Sequence, residues 1–178
     1  MGLFDKLVAY LGKFKSRDCG VVVVGLDNSG KTTILNHLKL PEQRDAAIVP
    51  TVGFTVQQFR YKGINFTAWD MSGAGKYRAL WEHNYKSAMG VIFVVDSSDK
   101  LRMVVAKDEL DLLLDHPDIK SRQVPLLFFA NKMDLRDALS SVRISQELGL
   151  DRIADKPWNI CASNAITGEG LLDGINWL

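Results

Sequence analysis

Four consecutive valines, Val21 to Val24, run directly into Gly25-Leu26-Asp27-Asn28-Ser29-Gly30-Lys31-Thr32, and this junction constrains the chain more than any other stretch. An unbroken β-branched run reads as a strand buried on both faces, which calls for a mostly parallel sheet covered by helices on each side. The segment that follows fits G-x-x-x-x-G-K-[ST]. Its glycines let the backbone turn tightly, so that successive N–H groups point into one phosphate-sized nest at the N-terminus of the next helix. In such a loop Lys31 reaches the β- and γ-phosphates, and the Thr32 hydroxyl takes a place on Mg²⁺. A glycine turn that binds nothing is the alternative; the strand before it and the helix after it weigh against that.

Strand-like and helix-like stretches alternate along the chain. Strands are predicted over 20–25, 54–61, 64–70, 91–96, 126–131 and 158–161, with helices near 32–38, 76–85, 101–114 and 142–148 and a last one from about 168. Lys62-Gly63 is a two-residue turn, so the second and third strands should form an antiparallel hairpin. The expected fold is α/β: a six-stranded, mostly parallel sheet with one antiparallel strand and helices on both faces. A length of 178 residues, 47% apolar and 24% charged, suits one such domain and excludes disordered, collagenous and disulfide-scaffold classes. The balance of 22 Lys and Arg against 21 Asp and Glu excludes bulk nucleic-acid binding. No apolar run approaches the roughly 20 residues of a membrane span. Cys19 and Cys161 are expected as reduced, buried thiols, and no cleavable leader is expected before them.

Asn131-Lys132-Met133-Asp134 decides among phosphate-binding classes. It follows a predicted strand, at the carboxyl edge where open α/β sheets bind ligands. The Asp134 carboxylate can accept two hydrogen bonds, from the guanine N1–H and exocyclic amine. Adenine has no such donor pair and would leave the acid unmatched. The Lys132 stem would cover the base. A small-molecule kinase using ATP therefore conflicts with Asp134. Cys161-Ala162-Ser163, after the last strand, can offer a backbone N–H to guanine O6. Asp70-Met71-Ser72-Gly73 ends the third strand, where Asp70 is suited to hold Mg²⁺ through water and Gly73 lets a backbone N–H approach the γ-phosphate. Thr51, in Pro50-Thr51-Val52-Gly53, is suited to bring a second hydroxyl to the ion; alone, it would read as a solvated loop threonine.

In order and spacing, G-L-D-N-S-G-K-T, P-T-V-G-F, W-D-M-S-G, N-K-M-D and C-A-S resemble the small GTPases of the Arf and Arf-like family, and the likeness covers essentially the whole chain. The resemblance implies a Ras-like P-loop NTPase that binds GTP or GDP with Mg²⁺ and hydrolyses GTP. Carried over residue by residue, nucleotide contacts fall on Asp27, Asn28, Ser29, Gly30, Lys31, Thr32, Thr33, Thr51, Gly73, Asn131, Lys132, Asp134, Cys161 and Ala162. Metal contacts fall on Thr32, Thr51 and, through water, Asp70; the hydrolytic positions are Lys31, Thr51, Gly73 and Ala74. It also implies a toggle in which GTP draws Thr51 and Gly73 onto the γ-phosphate, the 54–69 hairpin slides, and an N-terminal helix leaves its groove for membrane. Leu101 to Lys107, His116-Pro117-Asp118-Ile119-Lys120 and Lys156-Pro157-Trp158 look like the ciliary branch of the family, which recruits the BBSome coat. The implied partners are a GTP-dependent effector coat and a membrane surface, with no nucleic acid, for a monomer at the cytoplasmic membrane periphery and the cilium or its base. The coat would be met through switch I (around Thr51), the interswitch hairpin and switch II (after Gly73).

The chain divides into an N-terminal helix and linker over 1–17 and a GTPase domain over 18–178. Leu3, Phe4, Leu7, Val8 and Leu11 share one helical face, and Lys6, Lys13, Lys15 and Arg17 oppose only Asp5. That is a basic amphipathic helix, able to lie on an anionic membrane or to pack on the core. Gly2 is present, but Lys6 occupies the Ser/Thr place of M-G-x-x-x-[ST], which argues against acylation; the C-terminal Cys motif of prenylated relatives is absent. Ala74 stands where the family has the Gln that orients water. A methyl group cannot do so, and Asp27 beside the phosphates should not assist. Hydrolysis is therefore expected to be very slow, and a recruitment module with negligible turnover is the alternative. Of the family's exposed Phe–Trp–Tyr patch, Phe54 and Trp69 are present while Asn84, beside Tyr85, takes the Tyr position. Trp81 and Tyr85 either extend this surface or pack switch II on the domain.

Overall fold

The computed structural model describes residues 17–178; the helix expected at the N-terminus lies outside the described residues. Six strands, β1 (Arg17–Val24), β2 (Phe54–Tyr61), β3 (Ile64–Met71), β4 (Gly90–Asp96), β5 (Leu126–Asn131) and β6 (Trp158–Ala162), form one sheet in the order β2-β3-β1-β4-β5-β6. Every neighbouring pair is parallel except β2 with β3. The connection from β1 runs to the β2–β3 side and that from β4 to the β5 side, so the topological switch point lies between the carboxyl ends of β1 and β4, where a crevice opens for ligand.

Alternation along the strands feeds two cores. Val21 and Val23 face Ile34, Leu35, Leu171 and Ile175, from α1 (Lys31–Leu38) and α5 (Leu171–Trp177). Val22 and Val24 face Trp81, Leu110, Leu113 and Leu148; α2 (Met103–Asp115) and α4 (Ser141–Leu148) cover that side. A short α3 (Pro117–Lys120) follows α2. All four valines are wholly buried, as a doubly covered central strand requires. The hairpin turn has positive φ at both Lys62 (46°) and Gly63 (80°), the backbone that matches strand twist in a two-residue turn.

Two helix expectations are corrected. Residues predicted as α-helix over 76–85 instead form 3₁₀ turns from Gly75 to Ser87. At the end of this stretch the Arg122 guanidinium donates to the Tyr85 (3.1 Å), Lys86 (3.1 Å) and Ala88 (2.7 Å) carbonyls and fixes its exit. The stretch is also anchored by burial of Trp81 and Tyr85, with Trp81 Nε1 donating to Ser72 O at 2.9 Å. The last helix begins at Leu171, not near 168, because Gly168 (φ 86°) and Gly170 (φ 74°) are both left-handed and delay its start. β1 takes in Arg17, which sequence reading had placed in the linker. Cys19 and Cys161 are unpaired as expected, but half-buried rather than buried.

Candidate functional site

The loop after β1 has the conformation its glycines permit. Gly25 sits at φ 134°, where a β-carbon would lie 2.1 Å from the Val94 carbonyl oxygen; Gly30 sits at φ 99°, where one would lie 2.2 Å from Asn131 Nδ2. No other residue fits either place. Lys31 begins α1, and its Nζ turns back across the loop to donate to Gly25 O (2.9 Å) and Leu26 O (2.8 Å). Burial strips solvent from this ammonium and lowers its pKa to about 8, with Asp70 and Asp27 offsetting part of the loss. The nest thus holds a buried cation short of counter-charge, which suits an anionic ligand. The Ser29 Oγ beside it is buried and has no hydrogen-bond partner among the described residues.

Three oxygen-bearing side chains converge next to Lys31. Thr32 Oγ1 donates to Asp70 Oδ2 at 2.6 Å, Thr51 Oγ1 lies 3.0 Å from Thr32 Oγ1, and Thr51 is 3.5 Å from the same carboxylate oxygen. Asp70 Oδ1 is buried without a partner among the described residues, and burial raises this acid's pKa despite the Thr32 hydrogen bond and Lys31. Two hydroxyls and an orphaned carboxylate oxygen form a donor set that fits a hard, oxygen-seeking cation such as Mg²⁺. Gly73 closes the cleft from the third side: a β-carbon there would lie 2.1 Å from Asp27 N and 2.5 Å from Gly25 O. The cleft, about 300 Å³, is lined by Asp27, Asn28, Gly30, Lys31, Thr32 and Thr33 from the loop and α1, by 48–51, and by 71–74 including Ala74.

Asn131, Lys132, Asp134, Cys161 and Ala162 stand at the adjoining end, on β5, β6 and the loops after them. Asn131 is buried and donates through Nδ2 to Ser29 O at 2.8 Å, while its Oδ1 accepts from Ala165 N at 3.0 Å. Met133 N donates to Ser163 O at 3.1 Å, so the loops after β5 and β6 are joined directly as well. Lys132 has φ 64°, and its Nζ lies 2.7 Å from Asp96 Oδ2. Burial would raise the Asp96 pKa, but Lys132 and Ser98 outweigh it and hold that pKa below the usual value. Asp134 is exposed at the rim, and Cys161 and Ala162 pair with Phe129 and Ala130 at the carboxyl end of β5.

Sequence reasoning missed Arg78 and Arg102. Arg102 Nη1 donates to Asp27 Oδ1 at 2.9 Å and Nη2 to Asp27 O at 3.2 Å; Arg78 Nη2 lies 3.9 Å from the same Oδ1. An acid inside an anion-binding loop was the signal, since such a charge calls for a partner. Trp81 is only 2% exposed and Tyr85 4%, so they pack switch II on the domain and do not widen the surface beside Phe54 and Trp69. What is exposed is Phe54 and Val56 on the edge strand β2, with Val49 and Val52 in the loop before it.

The profile described as "ADP-ribosylation factor family" matches residues 4–178. The chain is 62% identical over 178 residues to ADP-ribosylation factor-like protein 6 of Danio rerio, spanning all of this chain and 95% of that protein. It is 49% identical over 171 residues to the protein of that name in Caenorhabditis elegans, covering 96% of this chain and 90% of the relative. Among solved structures, the Arl6 BBS3 small GTPase from Trypanosoma brucei with bound nucleotide analogue GppNp superposes with a TM-score of 0.84 at 44% identity, covering 90% of this chain and 94% of that one.

Proposed function

Since the chain belongs to the ADP-ribosylation factor family, and is thereby a small GTPase that binds and hydrolyses GTP, we propose that its GTP form attaches to membrane and recruits a BBSome-like coat for ciliary membrane-protein trafficking. The observation that carries the switch is the joint position of Thr51 and Gly73. The Thr51 hydroxyl reaches Thr32, and Gly73 lies against the loop at Asp27 N. This arrangement suits a γ-phosphate held between the two switch loops, an ordering device that hydrolysis would release.

In this reading the amides of 27–33 cradle the phosphates, Lys31 neutralises the β- and γ-oxygens, and Gly73 N–H meets the γ-phosphate. Thr32 and Thr51 would hold Mg²⁺, with Asp70 acting through water; when bound, the ion screens charge developing on the phosphate oxygens. Water attacks the γ-phosphorus in line and the bond to the β-phosphate oxygen breaks. Ala74 offers no acceptor to orient that water, so turnover is slow without a partner. At the other end Asp134 selects guanine, Lys132 covers it, and the Cys161–Ala162 backbone faces O6.

Residues 18–178, with Arg17 opening β1, act as the GTPase domain, and the segment before them as the membrane-binding helix and linker. The exposed Val49, Val52, Phe54 and Val56 are the apolar part of the effector face. Its place is the cytoplasmic membrane periphery, at the cilium or its base. A second reading, a recruitment module with negligible turnover, is favoured by Ala74 alone. Pelleting with anionic liposomes and purified coat, comparing GDP- and GppNp-loaded protein, tests the switch. Enrichment only with GppNp is expected, and equal pelleting in both states refutes it. Phosphate release with and without cell extract separates the two readings: stimulation supports the enzyme, persistent GTP occupancy the module.

A further inference from the structure

We infer that Arg102 is a positioning residue for the triphosphate: by neutralising Asp27 and tying it to the flank of the cleft, it lets an acid-bearing loop accept a γ-phosphate. The assignment rests on the nucleotide reading above and deepens it. Asp27 lines the cleft at the end closed by Gly73, since a β-carbon on Gly73 would fall 2.1 Å from Asp27 N. That is the γ-phosphate end. A carboxylate there repels the extra charge by which GTP differs from GDP, and its side chain, 52% exposed, is free to swing inward unless held.

Arg102 holds it at two points. Nη1 donates to Oδ1 at 2.9 Å and Nη2 to the backbone oxygen at 3.2 Å, a fork that fixes side chain and main chain together. The guanidinium is itself fixed, because Nε donates to Asp99 Oδ2 at 2.6 Å and Asp99 Oδ1 accepts from Arg102 N at 3.2 Å. Arg78 is a weaker second partner: it stands 3.9 Å from Asp27 Oδ1, while its stronger bonds go to Glu109 Oε1 (2.9 Å) and Gly73 O (2.8 Å). An isolated surface pair of this exposure contributes little to stability. Its leverage comes from place, since the neutralised acid borders an anion site where repulsion would be focused by the cleft walls.

The test measures affinities for GDP and for GppNp by displacement of a fluorescent guanine nucleotide, in Mg²⁺, for wild type, Arg102→Gln, Asp27→Asn and the double variant. Arg102→Gln should weaken GppNp about tenfold more than GDP, a difference of about 1.4 kcal/mol. In the double variant, with no carboxylate left to restrain, the GppNp/GDP ratio should match that of Asp27→Asn. Arg102→Lys, which keeps the charge and loses the fork, gives an intermediate ratio and serves if the Gln variant does not fold. Equal weakening of both nucleotides, or a deficit that persists in the double variant, overturns the assignment. A wild type that binds neither nucleotide would refute the nucleotide reading and this inference with it; a wild type that binds both, with unchanged ratios in every variant, refutes only the role of Arg102.

Discussion

At Gly73 the difference between a hydrogen and a methyl group decides whether switch II can lie on the phosphate loop. A β-carbon there would meet Asp27 N at 2.1 Å and Leu26 C at 2.2 Å, both backbone atoms that cannot step aside. Gly73→Ala should therefore keep GDP affinity within about threefold and weaken GppNp by at least about tenfold, read by nucleotide displacement. The neighbouring Ala74 lacks any group that could hold water. Ala74→Gln should raise single-turnover GTP hydrolysis by about tenfold or more, and equal rates would refute that role. Asp134 answers to base chemistry. Asp134→Asn exchanges an acceptor for a donor, so guanine affinity should fall by at least about a hundredfold while xanthine, which carries a carbonyl at C2, is gained. These residues were legible from spacing because each belongs to a contiguous motif. Arg78 and Arg102 were not, since they reach the site from distant elements and only the acid they pair with, Asp27, hints at them.

Among the elements, strands were read best. The 54–61 and 126–131 runs agree with β2 and β5 at both ends, and the Lys62-Gly63 turn sets the hairpin register that pairs Tyr61 with Ile64. Their patterning is local: period-2 or continuous burial, stopped by turn residues. The 75–87 stretch was misread because its apolar spacing, with Trp81 and Tyr85 both buried, suits an α-helix as well as the tighter 3₁₀ winding, and periodicity cannot tell them apart. Arg122→Ala strips donors from three carbonyls, two of them in part-buried contacts. It should lower stability by about 2 kcal/mol and speed amide exchange across 75–87 first, as followed by denaturant melts and hydrogen exchange. A uniform rise in exchange over the whole sheet would contradict that local role.

On the scale of the molecule, the sheet has unequal flanks. β4 and β5 lie inside it and are buried along their length except at Asp96, while β2 is an edge strand with Phe54 and Val56 half open to solvent. Phe129, fully buried against α5, should cost about 3–5 kcal/mol when cut to Ala, measured by urea denaturation. The fold class was readable from the alternation of strands and helices, while strand order was not, because it is set by crossovers between distant segments that periodicity does not record. Among the described residues no helix is long and apolar enough to cross a membrane, which leaves attachment to the segment before Arg17 in the proposed reading.

Asn131 extends this accounting to how the molecule lets go. One primary amide fastens the first loop, through Ser29, to the loop bearing Ala165, and its own strand continues into the base-selecting turn. Three grips on a ligand thus share a single rivet. On the proposed reading, loosening that one amide would slacken all three together, and a fresh ligand would re-tension them.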